Sequence, residues 1–289
     1  MINIETIINM KTPVGLKTLP VTFGNGNNKL TGKIFLPTVK HPVPGALLCH
    51  GLGSGHRAME PSARIIAGYG VAVLVFDFRG HGHSDGILDG DMVTDVLDAW
   101  HFLSHLPEVD TERVALIGHS MGAMAAILAA RHINPRALIA LSCPPDLDSS
   151  LTSSDLSTID TWIKEDISIK EHPRDGAFPW QKGPVALLSR FWMYLTGFRL
   201  LVDWRAFFKI LTKVQMSTAL HELHNCSTLF VHCRGDRLTP YQAMVQLFEQ
   251  ANQPKDLLVA RAGFHSAPLL PGNLRNRWTR WAATTLMTN

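Results

Sequence analysis

Six short and almost uninterrupted apolar runs constrain this 289-residue chain more than any other feature. They lie at residues 46–49, 71–76, 114–117, 137–141, 228–231 and 257–260. A strand with one wet face alternates apolar and polar residues. A run that is apolar at nearly every position is buried on both faces, as in a parallel sheet covered by helices. The stretches between the runs carry helix signals. Val96, Trp100, Leu103 and Leu106 share one helical face, and Pro107 ends that helix. Leu274, Trp278 and Trp281 form a second apolar stripe, and Thr239-Pro240-Tyr241-Gln242 reads as a capping box with proline at the first helical position. Ahead of the runs, residues 16–23 and 30–36 flank the turn-rich Gly24-Asn25-Gly26-Asn27-Asn28, the pattern of a hairpin. The fold class is therefore α/β, with a mainly parallel sheet.

One stretch breaks the alternation. Residues 146–225 open with a polar Ser/Thr/Asp segment and continue as an aromatic-rich, helical run. We read it as an insertion over one end of the sheet, which divides the chain into a core of residues 1–145 and 226–289 and an insertion of 146–225. Its most apolar part, residues 185–202, is interrupted by Arg190 and Arg199, which argues against a membrane span but leaves interfacial contact open. A net charge of +3 without a Lys/Arg block argues against nucleic acid as a partner. Cys49, Cys143, Cys226 and Cys233 show neither Cys-x-x-Cys nor zinc spacing, and the first residues lack the basic and apolar regions of a secretory leader. A cytoplasmic protein is expected.

The chemistry-bearing residues stand at the ends of the runs. Gly118-His119-Ser120-Met121-Gly122 follows the run 114–117 and precedes the Ala/Met-rich segment 123–131. A Gly-x-Ser-x-Gly string between strand and helix is a nucleophile elbow. The tight turn needs small flanking residues, and it sets the serine at a helix N-terminus, where the dipole favours developing negative charge. His50-Gly51-Leu52-Gly53-Ser54-Gly55 follows the run 46–49. An oxyanion hole needs two backbone N–H groups aimed at one point, and Leu52 and Met121 are the candidates. The loop lacks the Lys-Ser/Thr ending of a P-loop. Gly235-Asp236-Arg237 and Gly263-Phe264-His265 follow the last two runs, where ligands bind in open α/β sheets. Ser120 as nucleophile, Asp236 as acid and His265 as base thus occur in the chain order expected of a hydrolase triad. Asp146, after the run 137–141, is the alternative acid.

Together with Phe76-Asp77-Phe78-Arg79-Gly80-His81-Gly82-His83-Ser84, these motifs resemble the α/β-hydrolase superfamily, and within it monoacylglycerol-lipase-like and serine-aminopeptidase-like members. The resemblance covers the chain outside the insertion. It implies an eight-stranded, mostly parallel sheet flanked by helices, a helical cap inserted after strand 6, and neither metal nor organic cofactor. It also implies that Asp77 and Arg79 brace the site from outside. Serine at the elbow, where dehalogenases and epoxide hydrolases carry Asp, points to acyl transfer.

Two other classes compete. His81-Gly82-His83-Ser84-Asp85 matches part of a His-x-His-x-Asp metal motif, but Gly86 stands where a further histidine usually follows. A non-catalytic binding module would have lost a triad member, and all three are present. The expected reaction is cleavage of a carboxylic ester through an acyl-enzyme; thioester, amide and carbon–carbon substrates would use the same triad. Trp180, Phe191, Trp192, Tyr194, Phe198, Trp204 and Phe207 give the insertion more aromatic density than one docking face needs. That suggests a small hydrophobic acyl substrate.

Overall fold

The computed structural model describes residues 15–24, 28–39, 41–144 and 199–288. Eight strands form one sheet: β1 (Leu16–Phe23), β2 (Leu30–Pro37), β3 (Val43–Cys49), β4 (Ala72–Phe76), β5 (Val109–His119), β6 (Ala137–Leu141), β7 (Ser227–Cys233) and β8 (Lys255–Ala260). Their order across the sheet is β1-β2-β4-β3-β5-β6-β7-β8. Every pair from β4 to β8 is parallel, whereas β1 and β2 join as an antiparallel hairpin in which Phe23 pairs with Leu30. The middle of the expected hairpin turn, residues 25–27, lies outside the described residues.

All six apolar runs are strands, and side-chain alternation explains why they had to be apolar throughout. Leu47, Leu74, Leu116, Leu138 and Phe230 face one core; Leu48, Val75, Ile117, Ile139 and Val231 face the other. On the second face lie helices α1 (His56–Gly68) and α7 (Asn273–Met287), which contribute Met59, Ile66, Trp278 and Leu286. The first face is covered by α2 (Met92–Ser104), α3 (Met121–Ile133) and α6 (Tyr241–Gln250), through Val96, Met124, Met244 and Leu247. Helix α2 ends before Pro107, as expected. The capping box at Thr239 does not form: α6 starts at Tyr241, Pro240 occupies the cap position, and no side chain caps it. Thr239 is instead drawn into the site described below.

The chain leaves β6 through Ser142 and Pro144 and is described again from Arg199. Trp180, Phe191, Trp192, Tyr194 and Phe198 lie outside the described residues, as does Asp146. From there α4 (Trp204–Leu211) and α5 (Met216–His221) lead to β7, and α5 packs on α3. Trp204 and Phe207 are buried, with ring centroids 5.9 Å apart, and form part of the first-face core. No helix among the described residues is long and apolar enough to cross a membrane.

Sheet order also locates the site. The connection from β3 runs outward to β4 while that from β5 runs the other way to β6, so the switch point at which ligands bind in open α/β sheets falls between the carboxyl ends of β3 and β5.

Candidate active site

Ser120 stands where β5 becomes α3, with φ 54° and ψ −122°. A side chain rarely tolerates that conformation, and here the surroundings impose it. The flanking glycines are required by space. A Cβ on Gly118 would lie 2.1 Å from the Gly122 carbonyl oxygen, and one on Gly122 would lie 2.4 Å from the Cys49 oxygen and 2.5 Å from that of His50. Helix α3 therefore enters the sheet edge almost in backbone contact with β3. As the first residue of α3, Met121 has an N–H with no intrahelical acceptor.

After β3 the chain turns tightly: the Ser54 N–H donates to the Gly51 oxygen at 3.1 Å, and Gly53 adopts φ +68°. This turn abuts the serine, since a Cβ on Gly51 would sit 3.1 Å from the Ser120 Cβ. Leu52 is the turn's half-buried second residue.

The carboxyl ends of β7 and β8 carry the other two candidates, and their loops are pressed together. A Cβ on Gly235 would meet the Gly263 oxygen at 2.5 Å, and one on Gly263 the Cys233 sulfur at 2.8 Å. This closeness brings Asp236 to His265: Nδ1 of the imidazole lies 2.8 Å from Oδ2 of the carboxylate. Oδ1 accepts from the Leu238 N–H at 2.9 Å and the Thr239 N–H at 3.0 Å. Burial pushes this carboxyl upward, but the His265 bond and the backbone donors outweigh it and hold Asp236 below the ordinary carboxylate range. A neutral His265 donating from Nδ1 carries its free lone pair on Nε2, a buried atom with no hydrogen-bond partner in this structure. Such an imidazole can take a proton at Nε2 and hold it against the aspartate.

Three residues to which the sequence assigned no part in the site complete the arrangement. The His119 ring, through Nε2 at 3.1 Å, and the Ser142 hydroxyl at 2.7 Å both donate to the main-chain oxygen of His265, so the base is held from the ends of β5 and β6 as well. Burial pushes His119 down to about 4, which keeps the ring neutral. Thr239 places its hydroxyl 3.4 Å from Nδ1 of His265, besides donating its N–H to Asp236. His119 and Ser142 could have been noticed, since both sit at carboxyl ends of the apolar runs. Thr239 gave no separate signal, because a threonine before Pro-x-x reads equally well as a helix cap.

The first histidine of the alternative metal motif is otherwise engaged. Nε2 of His81 accepts from the Gly53 N–H at 3.2 Å, and Nδ1 faces the Arg79 oxygen at 3.1 Å, so neither ring nitrogen is available to an ion. No group of three or more potential ligands gathers among the described residues. Asp77 closes the N-terminus of α1: Oδ1 accepts from the His56 N–H at 2.6 Å, and Oδ2 lies 3.0 Å from the His56 ring. Arg79 is fixed to buried Asp95 by two contacts of 2.8 Å.

A model of the alpha/beta hydrolase family matches residues 46–274. The quorum-quenching protein AidA of Acinetobacter baumannii is 30% identical over 154 residues, covering 49% of each chain. A thiohydrolase, apmlB, of Arthrinium phaeospermum is 36% identical over 119 residues, or 39% of this chain and 35% of its own. The matched segments thus span half or less of these curated relatives. Among solved structures, that of DcsB with a substrate analogue superposes with a TM-score of 0.75 at 18% identity, covering 93% of this chain and 99% of the other.

Proposed function

The chain belongs to the alpha/beta hydrolase family, and from that footing we propose that it is a serine hydrolase that cleaves carboxylic esters of hydrophobic acids. Ser120 is the nucleophile, His265 the base, Asp236 the orienting acid, and the N–H groups of Leu52 and Met121 form the oxyanion hole. The observation that carries this reading is the Asp236–His265 pair, bonded at 2.8 Å on Nδ1 and unpartnered on Nε2, whose His265 carbonyl is held at 3.1 Å by His119, the residue before the strained Ser120 turn.

The steps follow from that placement. Nε2 of His265 takes the hydroxyl proton as Oγ of Ser120 attacks the substrate carbonyl. The Leu52 and Met121 N–H groups stabilise the resulting oxyanion, and Asp236, held ionised, offsets the imidazolium charge. The alcohol leaves with the proton from Nε2. Water then attacks the acyl-enzyme, with His265 again as base, and the free acid departs while Ser120 regains its proton.

The segment from 146 to 225 acts as the cap over this site. The described chain leading to it leaves the sheet at Ser142, whose hydroxyl reaches the His265 oxygen. A site roofed by an aromatic-rich segment selects apolar acyl groups, since small-ligand pockets are concave and mostly apolar. Thioesters are the second substrate class, favoured by the likeness to a thiohydrolase.

A fluorophosphonate probe, followed by peptide mapping, should label Ser120, and pretreatment with a chelator should not reduce labelling. Failure to label would overturn the serine mechanism. Specificity is read from kcat/KM for p-nitrophenyl esters and matched thioesters from acetyl upward. Each added methylene should contribute up to about 0.8 kcal/mol, hence a severalfold gain until the pocket is full. A flat or falling series would remove the apolar acyl site.

A further inference from the structure

The turn at residues 50–54 is joined to the loop that follows β4 by a reciprocal pair of histidines. His50, from the turn, accepts the Phe78 N–H at Nε2 (3.1 Å), and its Nδ1 faces the Gly51 oxygen at 2.8 Å. His81, from the loop, accepts the Gly53 N–H at Nε2 and turns Nδ1 to the Arg79 oxygen. In each ring the accepting Nε2 leaves the proton on Nδ1, where a carbonyl oxygen receives it. The rings meet edge to face, 4.9 Å apart, and both are fully buried.

His81 is itself held with unusual thoroughness. Gly80 and Gly82 both have positive φ, and neither has room for a Cβ, which would lie 2.2 Å from the Leu201 oxygen and 2.1 Å from Oδ2 of Asp77 respectively. Residues 199–201 clasp the loop on either side, the Leu201 N–H donating to the Gly80 oxygen at 2.7 Å and the Gly82 N–H to the Arg199 oxygen at 2.8 Å. A buried imidazole on so rigid a mount, spending its one acceptor on a backbone amide, does more than fill space. Gly53 is the residue whose positive φ closes the turn, so an acceptor at its N–H sets the orientation of the Leu52–Gly53 peptide and of the turn that presents the Leu52 N–H.

We infer that His81 is a positioning residue of the oxyanion hole, holding the 50–54 turn in its hydrogen-bonding orientation through the Gly53 amide. This rests on the serine-hydrolase reading. Burial, with His50 beside it, pushes His81 down to about 3, so the acceptor persists across the working pH range.

Two substitutions separate acceptance from packing. His81→Gln reaches Gly53 with its amide oxygen, whereas His81→Asn keeps a donor near the Arg79 oxygen but is too short to reach Gly53. His81→Asn should lower kcat by about 10- to 100-fold, part of the loss seen when an oxyanion donor is removed. KM should stay within about twofold, because the turn acts on the transition state. His81→Gln should restore kcat to within a few-fold of the unmodified enzyme. Equal losses in both variants, or none in either, would overturn the inference. In the unmodified protein, ¹⁵N NMR should show His81 as the Nδ1–H tautomer, and an Nε2–H tautomer would overturn it even if neither variant folded. Probe labelling at Ser120 keeps the two readings apart: no labelling of the unmodified enzyme removes the serine mechanism, whereas labelling with an unaffected His81→Asn removes only the role of His81.

Discussion

Replacing Asp236 by asparagine tests the proton path at a single atom, because the structure dictates how the new amide must sit. Oδ1 of Asp236 accepts two backbone N–H groups, from Leu238 at 2.9 Å and Thr239 at 3.0 Å. An asparagine that turned its NH2 toward them would leave the buried Thr239 N–H unsatisfied, at about 1–3 kcal/mol, and lose the bond from the more exposed Leu238 N–H as well. The amide oxygen therefore takes the Oδ1 position, and the NH2 replaces Oδ2, 2.8 Å from Nδ1 of His265. Donor then faces donor unless Nδ1 gives up its proton, so the imidazole shifts to the Nε2–H tautomer and cannot accept from Ser120. In serine proteases that run on the same triad logic, this exchange lowers kcat about 10⁴-fold with geometry intact. That corresponds to about 5.5 kcal/mol of barrier. The assay is kcat on a p-nitrophenyl ester, with ¹⁵N NMR of the His265 ring in parallel. A kcat within tenfold of the unmodified enzyme, or an Nδ1–H tautomer that survives the substitution, would refute this account.

Other perturbations follow from the same geometry. Ser120→Gly should abolish turnover and yet raise the melting temperature, since relief of the strain at φ 54° is worth about 1 kcal/mol or more; an unchanged or lower melting temperature would show the turn to be unstrained. Gly122→Ala places a methyl 2.4 Å from the Cys49 oxygen, where only backbone could yield, and should destabilise by about 1–3 kcal/mol or more in urea unfolding. An unaltered unfolding midpoint would contradict that close approach. Asp77 and Asp236 are both held below their ordinary value of 3.8, despite burial, by the hydrogen bonds they accept. Their contribution to stability is thus full above about pH 4 and is lost as pH falls through the depressed folded values. Acid unfolding monitored by circular dichroism should show this, and Asp77→Asn should flatten the curve; a variant with the same acid profile would exclude Asp77 as a source.

The strands were legible because a two-face core demands apolar residues at every position, and that demand is written locally. The Ser120 turn was equally legible, since Gly118 and Gly122 are required by close approach within one short string. The pairing of Asp236 with His265 could be expected only from their matching positions after successive strands; the contact itself depends on Gly235 and Gly263 letting two loops touch. What could not be read is the direction in which a side chain is spent. Thr239 has the composition of a helix cap, yet its N–H serves Asp236. His81 has the spacing of a metal ligand, yet both nitrogens serve the backbone. Trp204 and Phe207 belong to a run whose aromatic density suggested a substrate roof, and they pack in the core. Such choices depend on which partner the fold brings up, as Gly53 for His81 and His265 for Thr239, and local spacing does not encode that.

The last strand of the sheet bears on how this enzyme should fail. β8 pairs with β7 alone, its outer edge has no neighbour among the described residues, and most of its side chains are only partly buried. Strands of this kind open at lower free energy than the centre of a sheet, where β3 and β5 are covered on both sides. Yet β8 leads directly to the loop bearing His265. Fraying at this margin would withdraw the base while the hydrophobic interior stayed assembled. Warming or mild urea should therefore silence turnover before the bulk melt, and reversibly, so that catalysis reports the docking of one border strand rather than the integrity of the whole domain.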